Sequence, residues 1–160
     1  MPMKILVLLL TLCYSTASAQ VVTKIVDGDT FKAAWNGDTV TVRLCGVDTP
    51  ESKKNAKAKK DAARSGQDVV LITSMGKKST EHLKSLLPIG TKVRFEFDVR
   101  DKDRYGRLLA YVYRDKIFIN ERLLQDGMAT TMTIAPNVKY AERFREVEAD
   151  ARVKKVGHWK

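Results

Sequence analysis

The stretch VVTKIVDGDTFKAAWNGDTVTVRLCGV, residues 21–47, decides the fold. It holds three strand-like segments: residues 21–26, which are rich in β-branched residues, residues 30–35, and residues 39–47, which alternate in character. The first two are separated by Asp27-Gly28-Asp29, a strong turn signal. The next pair is separated by Asn36-Gly37, the dipeptide favoured in two-residue hairpin turns. The sequence therefore predicts a meander of three antiparallel strands.

The segment that follows the meander is strongly basic. Residues 52–64 contain one acid, Asp61, and no large apolar side chain. Their basic residues are Lys53, Lys54, Lys57, Lys59, Lys60 and Arg64. We interpret this segment as a solvated loop or an exposed helical turn, part of a basic insertion at about residues 52–75. Its charge would attract a phosphate backbone.

The second half of the chain alternates between helical and strand patterns. A helix is predicted at residues 78–87, with Ser79 as a possible N-cap and Pro88 and Gly90 as its end. Strands are predicted at residues 93–99, 108–113 and 116–119. Asn120 is expected to cap a helix that ends at Gly127.

The last predicted helix, residues 138–153, carries an apolar stripe at helical spacing. The stripe, formed by Tyr140, Phe144, Val147 and Ala151, is interpreted as core packing. Five main strands with about three helices, one of them between the third and fourth strands, predict a mainly β member of the α+β class. The matching architecture is the OB-fold, a small closed five-stranded β-barrel that commonly binds oligonucleotides.

Composition narrows the class of partner. The 160 residues include 29 Lys plus Arg against 19 Asp plus Glu, a formal net charge of +10. This length fits one domain, and a hydrophobic content of 44% excludes wholesale disorder. Two cysteines are too few for a disulfide-stapled miniprotein or a Cys-rich zinc site. The excess of positive charge favours nucleic acid or an anionic membrane surface.

The N-terminus has the features of a secretory leader. Lys4 precedes an apolar run at residues 5–13, and Ala17-Ser18-Ala19 offers small residues for cleavage. The run is about half the length of a bilayer-spanning helix, which makes a permanent anchor the weaker alternative. We therefore expect a signal peptide at residues 1–19, cleavage near Ala19/Gln20, and a secreted or periplasmic single domain at residues 20–160. Cys45, the cysteine left after cleavage, is expected to be buried.

Three short segments concentrate residues suited to phosphate chemistry, namely residues 27–30, Arg43 with residues 48–51, and residues 103–107. Each segment alone is weak evidence, because such residues also occur in ordinary turns. Together they offer carboxylates at strand ends, which are ligands for Ca²⁺ or Mg²⁺. A further nearby carboxylate can orient or deprotonate a water, and two arginines can clamp phosphate oxygens.

These segments resemble the signature motifs of the staphylococcal nuclease, or thermonuclease, family. The carriers of the resemblance are VDGDT at residues 26–30, Arg43-Leu44 with VDTPE at residues 47–51, and DRYGRLLAY at residues 103–111. The resemblance extends from about Val21 to Trp159. It implies an OB-fold and a Ca²⁺-dependent endonuclease that cuts DNA and RNA with little sequence preference, leaving 3′-phosphates. Single-stranded or denatured nucleic acid is the implied substrate, with no membrane, no protein partner and a monomeric state.

The resemblance also implies a role for each matching residue. Asp29 and Asp48 match the metal-binding carboxylates, and Thr49 matches the residue whose backbone carbonyl binds the metal, one Ca²⁺ ion or another divalent cation. Glu51 matches the acid that activates the attacking water. The remaining matches are Arg43 and Arg107, which stabilise the phosphoryl group, and Arg104 and Tyr105, near the terminal phosphate of a bound nucleotide.

Two departures from the family pattern concern substrate binding. Met132 and Ile134 stand where the type member of the family has two tyrosines, a change that could weaken nucleotide binding by roughly 1–3 kcal/mol. The segment between Glu51 and Arg107 is also longer, and residues 69–72 of it need a packing partner. Two alternatives stay open, a non-catalytic nucleic-acid-binding module of the same fold and a basic protein that attaches to anionic surfaces.

Overall fold

The computed structural model describes residues 19–160. The predicted leader, apart from Ala19, lies outside the described residues, and so does the greater part of its cleavage site. No helix within residues 19–160 combines the length and the apolar character needed to cross a membrane.

Four strands begin the described chain, two helices follow them, and strands and helices then alternate to the end. The strands are β1 (Gln20–Asp27), β2 (Thr30–Trp35), β3 (Asp38–Leu44), β4 (Gly46–Asp48), β5 (Lys92–Glu96), β6 (Leu108–Arg114), β7 (Ile117–Phe118) and β8 (Thr130–Met132). The helices are α1 (Ala56–Ser65), α2 (Val69–Leu86), α3 (Ile119–Gln125) and α4 (Ala141–Val153), followed by a 3₁₀ turn at Gly157–Trp159. The structure of residues 19–160 thus has four α-helices where about three were predicted.

Five of the strands close into a barrel. β1, β2 and β3 form the predicted antiparallel meander, β1 also pairs with β5, and β5 pairs with β6. The barrel closes where β6 lies parallel to β3, with Val42 opposite Leu108 and Leu44 opposite Ala110. β7 extends the sheet beyond β6, and β4 pairs separately with β8. The predicted mainly β architecture, a closed five-stranded OB barrel, is confirmed.

Two turns show why the meander folds as it does. Asn36 and Gly37 both have positive φ, 53° and 87°, as a hairpin turn between twisted strands requires. The strand predicted at residues 39–47 is interrupted, because Gly46 has a φ of 78° and divides it into β3 and β4. This break turns β4 away from the barrel and towards β8. The residues that follow β4 are thereby brought to the edge of the barrel.

The core fills the barrel and the space beneath α2, α3 and α4. Its fully buried members include Val22, Phe31, Val42, Leu44, Leu83, Leu123 and Phe144. Phe144 and Ala151 of the predicted apolar stripe are buried, and Tyr140 and Val147 are partly buried against the main core. The interpretation of that stripe as core packing agrees with this arrangement. Cys45 is buried as expected, and burial raises the pKa of its thiol.

The basic segment is more ordered than predicted. Residues 56–65 form α1, whose N-cap Asn55 accepts a hydrogen bond from the backbone N–H of Ala58. Ala58 and Ala62 pack on Ile72 in a small second core, against which Val69 also packs, whereas Val70 and Leu71 are exposed. Alanines supply this contact, so the usual signal of large apolar residues at helical spacing was missing.

The helix predicted at residues 78–87 begins much earlier, at Val69, with Asp68 as its N-cap. Ser79 therefore lies inside α2, where its hydroxyl donates to the carbonyl of Met128 and contacts the His158 ring at 2.8 Å. The predicted capping role of Ser79 is wrong. The helix continues through this polar residue because tertiary partners satisfy the hydroxyl.

Asn120 does not cap α3 either. The N-cap position is Phe118, and it makes no side-chain capping bond. Asn120 is fully buried; its side-chain oxygen accepts from the backbone N–H of Val112, and its amide donates to the carbonyl of Cys45. Because these bonds reach the barrel strands, Asn120 fastens α3 to the barrel.

Candidate functional site

Asp29 lies in the turn between β1 and β2 and is held rigidly. It is buried, and one carboxylate oxygen accepts a 2.9 Å hydrogen bond from the hydroxyl of Thr30. The other oxygen accepts from the backbone N–H and the hydroxyl of Thr49, at 3.0 and 3.1 Å. These bonds compensate the burial of the carboxylate and join the β1–β2 turn to the segment after β4.

Arg43 links the two candidate metal-binding carboxylates. One terminal nitrogen, Nη2, lies 2.8 Å from Asp48 Oδ1 and 3.2 Å from Asp29 Oδ2. The other, Nη1, donates to the backbone carbonyls of Leu44 and Val47. The guanidinium is therefore fixed by the bend between β3 and β4, and Asp29 and Asp48 converge on one of its nitrogens.

Glu51 follows β4 and is held by residues at the beginning of α1. Its Oε2 accepts a 2.6 Å hydrogen bond from the Asn55 amide, and its Oε1 lies 3.0 Å from Lys57 Nζ. Its backbone rests on α2 at Gly76, where an added methyl group would overlap the carbonyl carbon and oxygen of Glu51. The position of Glu51 thus depends on both α1 and α2.

Charges within this cluster influence one another. Burial raises the pKa of the Asp48 carboxyl above its ordinary value, and the nearby Asp29 carboxylate acts in the same direction. Lys57 and Arg43 oppose that shift without cancelling it. Burial alone would lower the pKa of Lys57, but Asp48 and Glu51 outweigh it and raise that pKa. The pocket therefore favours additional positive charge next to Asp48.

Arg107 reaches the site from the opposite side, at the turn before β6. Its Nε lies 2.7 Å from Asp103 Oδ2, and its backbone N–H donates to Asp103 Oδ1. Burial would raise the pKa of Asp103, but these bonds from Arg107, together with one from the backbone of Tyr105, lower it. Arg104 donates to the hydroxyl of Tyr105 at 2.6 Å and lies over its ring. Asp103 thus orients Arg107 while leaving its terminal nitrogens to the cleft.

One cleft of about 860 Å³ collects seven of the eight predicted site residues. These are Asp29, Arg43, Asp48, Glu51, Arg104, Tyr105 and Arg107. Thr49 does not line the cleft; it is buried behind Asp29, which it hydrogen-bonds. Met132 and Ile134 are exposed on the cleft wall, and Lys57 also lines it.

Sequence reasoning missed the supporting roles of Asn55, Lys57, Asp103 and Gly76. Asp103 precedes Arg107 by four residues, and Asn55 precedes Ala58 at the spacing of an N-cap, so both had a local signal. Lys57 was predicted only as one member of a basic run. Its placement depends on where α1 begins, which the sequence pattern did not show.

The fold and the site together define a class of protein, an OB barrel whose cleft holds converging carboxylates and two arginines. Comparison with known proteins identifies the family. The sequence model described as staphylococcal nuclease homologue matches residues 41–160, and this chain belongs to that family. The matched range begins after Asp29 and includes the other predicted site residues.

Three curated relatives illustrate the similarity. The chain is 38% identical to the SPbeta prophage-derived endonuclease YokF of Bacillus subtilis over 136 residues, which is 84% of this chain and 41% of the relative. It is also 38% identical to Endonuclease YncB of the same organism over 84% of this chain and 58% of the relative. A Thermonuclease of Staphylococcus hyicus is 35% identical over 86% of this chain and 73% of its own length. The chain thus spans less than two thirds of the two Bacillus relatives.

Proposed function

We propose that this protein is an exported nuclease that hydrolyses phosphodiester bonds of DNA and RNA with low sequence specificity, depends on Ca²⁺ and leaves 3′-phosphorylated ends. One observation carries the proposal: the acidic residues Asp29, Asp48 and Glu51 line the same cleft as Arg43 and Arg107. Membership of the staphylococcal nuclease family and the names of the relatives, endonuclease and thermonuclease, support the nuclease activity.

The donor set of the cleft fits a hard divalent cation. Among residues 19–160 no group of three or more His, Cys, Asp or Glu side chains is arranged to hold a metal. The candidate ligands are instead two carboxylates of the cleft, Asp29 and Asp48, and the family resemblance adds the backbone carbonyl of Thr49, a residue that does not line the cleft. Oxygen donors of this kind select Ca²⁺ or Mg²⁺ over softer metals. Lys57 Nζ, 3.1 Å from Asp48 Oδ1, marks a place where the site accepts a cation.

A bound divalent cation would supply Lewis-acid polarisation of a phosphate oxygen. The chain's own groups perform the remaining work. Glu51 accepts a hydrogen bond from the attacking water and takes its proton as the water adds to phosphorus. The bond from phosphorus to the 5′ oxygen breaks in line with this attack, and the departing oxygen takes a proton from solvent. Arg43 and Arg107 stabilise the negative charge that builds up on the phosphoryl oxygens, a task suited to their permanent, fork-shaped charge. Arg104 and Tyr105 bind the terminal phosphate of the nucleotide.

Electrostatics supports a polyanionic substrate. The chain has a formal net charge of +10, and α1 carries three lysines, of which Lys57 lines the cleft. Such a field attracts and retains a phosphate backbone of either DNA or RNA. Met132 and Ile134 offer apolar contact in place of aromatic stacking. The affinity for nucleic acid therefore comes mainly from phosphate contacts.

The proposed location is outside the cytoplasm, either in a periplasm or in the medium, because residues 1–19 have the pattern of a cleaved signal peptide. N-terminal sequencing of the protein released by an expressing cell tests this. A mature N-terminus at or near Gln20 is the expected result.

The activity is tested by incubating the purified protein with denatured DNA and with RNA, in Ca²⁺, in Mg²⁺ and in a chelator. We expect cleavage that requires Ca²⁺ and produces 3′-phosphate ends, and we expect Glu51→Gln to remove most of it while nucleic-acid binding persists. Salt-sensitive binding with no cleavage in any metal would contradict the proposal and identify a binding module instead.

A further inference from the structure

Lys57 lines the cleft, and the sequence gave it no role beyond that of one member of the basic segment. Its Nζ lies 3.1 Å from Asp48 Oδ1 and 3.0 Å from Glu51 Oε1. One ammonium group thus bridges a proposed metal ligand and the proposed base. Lys59 and Lys60, its neighbours on the same helix, are exposed instead.

The beginning of α1 directs this contact. Asn55 caps the helix, and its amide holds Oε2 of Glu51 while Lys57 holds Oε1. Ala58 and Ala62 fix the helix against Ile72. Since the same helical turn contacts both oxygens of the Glu51 carboxylate, α1 determines where that carboxylate points.

A lysine in the first turn of a helix is unfavourable, because the N-terminal end of the helix dipole is positive. The first turn of α1 contains no acidic residue to offset this charge. Asp48 and Glu51, which lie outside the helix, provide the compensation. The acidic partners of Lys57 therefore come from the cleft and not from α1.

We propose that Lys57 is an internal counter-ion of the cleft, which positions Glu51 and competes with a divalent cation for Asp48, so that Lys57 sets the affinity of the site for that cation. This inference rests on the proposed function, in which Asp29, Asp48 and Thr49 hold Ca²⁺. It adds to the residues that determine the affinity for the cation one that comes from the insertion and not from the family motifs.

Two cations contact Asp48 Oδ1, and only one of them is free to leave. Arg43 is fixed by two backbone carbonyls as well as by both carboxylates. Lys57 has a flexible stem, a compact charge and a partly exposed side chain, 39% accessible. Repulsion between the ammonium and an arriving divalent cation therefore moves Lys57 away from Asp48, and the work of that separation lowers the apparent affinity for the cation.

Calorimetric titration of the purified protein with Ca²⁺, in the absence of nucleic acid, tests this role. The variants are Lys57→Met and Lys60→Met, which lose the same charge from the same helix. We expect Lys57→Met to bind Ca²⁺ about tenfold more tightly than Lys60→Met, on the scale of a close charge repulsion partly relieved by solvent. Lys57→Gln should behave like Lys57→Met, and Lys57→Arg should restore weak binding. The free energy of unfolding, measured alongside, should not follow this order.

The possible failures are distinct. Equal Ca²⁺ affinity in Lys57→Met and Lys60→Met, with binding by the unaltered protein, overturns the role of Lys57 alone. Absence of Ca²⁺ binding in every variant, Lys57→Met included, overturns both this role and the proposed metal dependence. Hydrolysis assays on the same preparations then show whether the nuclease proposal survives without Ca²⁺.

Discussion

Replacing Arg107 by alanine separates a catalytic role from a structural one. The side chain lies at the turn before β6, with its Nε 2.7 Å from Asp103 and an exposed fraction of 35%. In the proposed mechanism its terminal nitrogens contact the phosphoryl group as charge accumulates. We expect Arg107→Ala to lose activity while keeping its fold.

The effects of Arg107→Ala on the catalytic rate and on stability differ in size. Loss of one preorganised donor to a developing oxyanion lowers kcat by about 10²–10³-fold, or roughly 2.7–4 kcal/mol. The cost in stability is far smaller, because a partly exposed ion pair contributes roughly 0–1 kcal/mol. Asp103 also keeps its backbone donors at Tyr105 and residue 107 when the guanidinium is removed. We therefore expect Arg107→Ala to lower the rate of hydrolysis and to leave the free energy of unfolding nearly unchanged.

The assay is single-turnover hydrolysis of a labelled single-stranded oligonucleotide in Ca²⁺, with urea unfolding of the same preparations. Arg145→Ala, which removes an exposed arginine from α4, is the matched control and should cleave normally. Arg107→Lys, which keeps the charge and loses the fork, should fall between the two. Near-normal turnover in a folded Arg107→Ala protein would refute the proposed mechanism.

Three further outcomes are expected. Gly76→Ala should destabilise the protein by about 1–3 kcal/mol in urea unfolding and also slow hydrolysis, because the added methyl group overlaps the backbone of Glu51; unchanged stability and turnover would contradict this contact. Burial, with nearby cations, lowers the pKa of His158 below its ordinary value of 6.5, so the folded state favours the neutral ring. The stability that the neutral ring contributes is present above about pH 6.5 and is lost as the pH falls through the lowered pKa. His158→Gln should therefore make thermal stability less dependent on pH below pH 6.5. An unchanged dependence would show that His158 does not cause it. Met132→Tyr and Ile134→Tyr should each tighten binding of a nucleoside bisphosphate by about 1–3 kcal/mol in calorimetry if a base stacks on the new ring, whereas unchanged affinity would place the base elsewhere.

α1 and α2 do more than shape access to the cleft. α2 approaches the backbone of Glu51 closely at Gly76, and α1 supplies Asn55 and Lys57 to its carboxylate. Both helices therefore support the residue proposed as base. The longer segment is part of the site's framework, and this explains why changes within it are expected to affect hydrolysis.

Local sequence signals predicted much of the fold. Asn36-Gly37 identified the β2–β3 hairpin because a tight turn requires backbone conformations that few other residues adopt. Strand-like segments between two turn signals located the meander, and the stripe containing Phe144 located α4, although the helix begins at Ala141 rather than at residue 138. The candidate site residues were also named from sequence, since the family motifs occur as short contiguous segments.

Features that depend on distant partners escaped the sequence. Ser79 and Asn120 have the chemistry of capping residues, and only the tertiary structure shows that their hydrogen bonds reach Met128 and the barrel strands instead. The small side chains that bury α1 gave no apolar signal, so its first turn, and with it the place of Lys57, was unpredictable.

By itself, the sequence determined the strand meander, the family and the chemical types gathered for phosphate chemistry, because those properties are carried by neighbouring residues. Only the tertiary structure decided that Arg43 joins Asp29 to Asp48 and that Lys57 bridges Asp48 and Glu51. The physical reason is that barrel closure and the packing of α1 on α2 bring together groups from separate elements, at distances that no local pattern specifies.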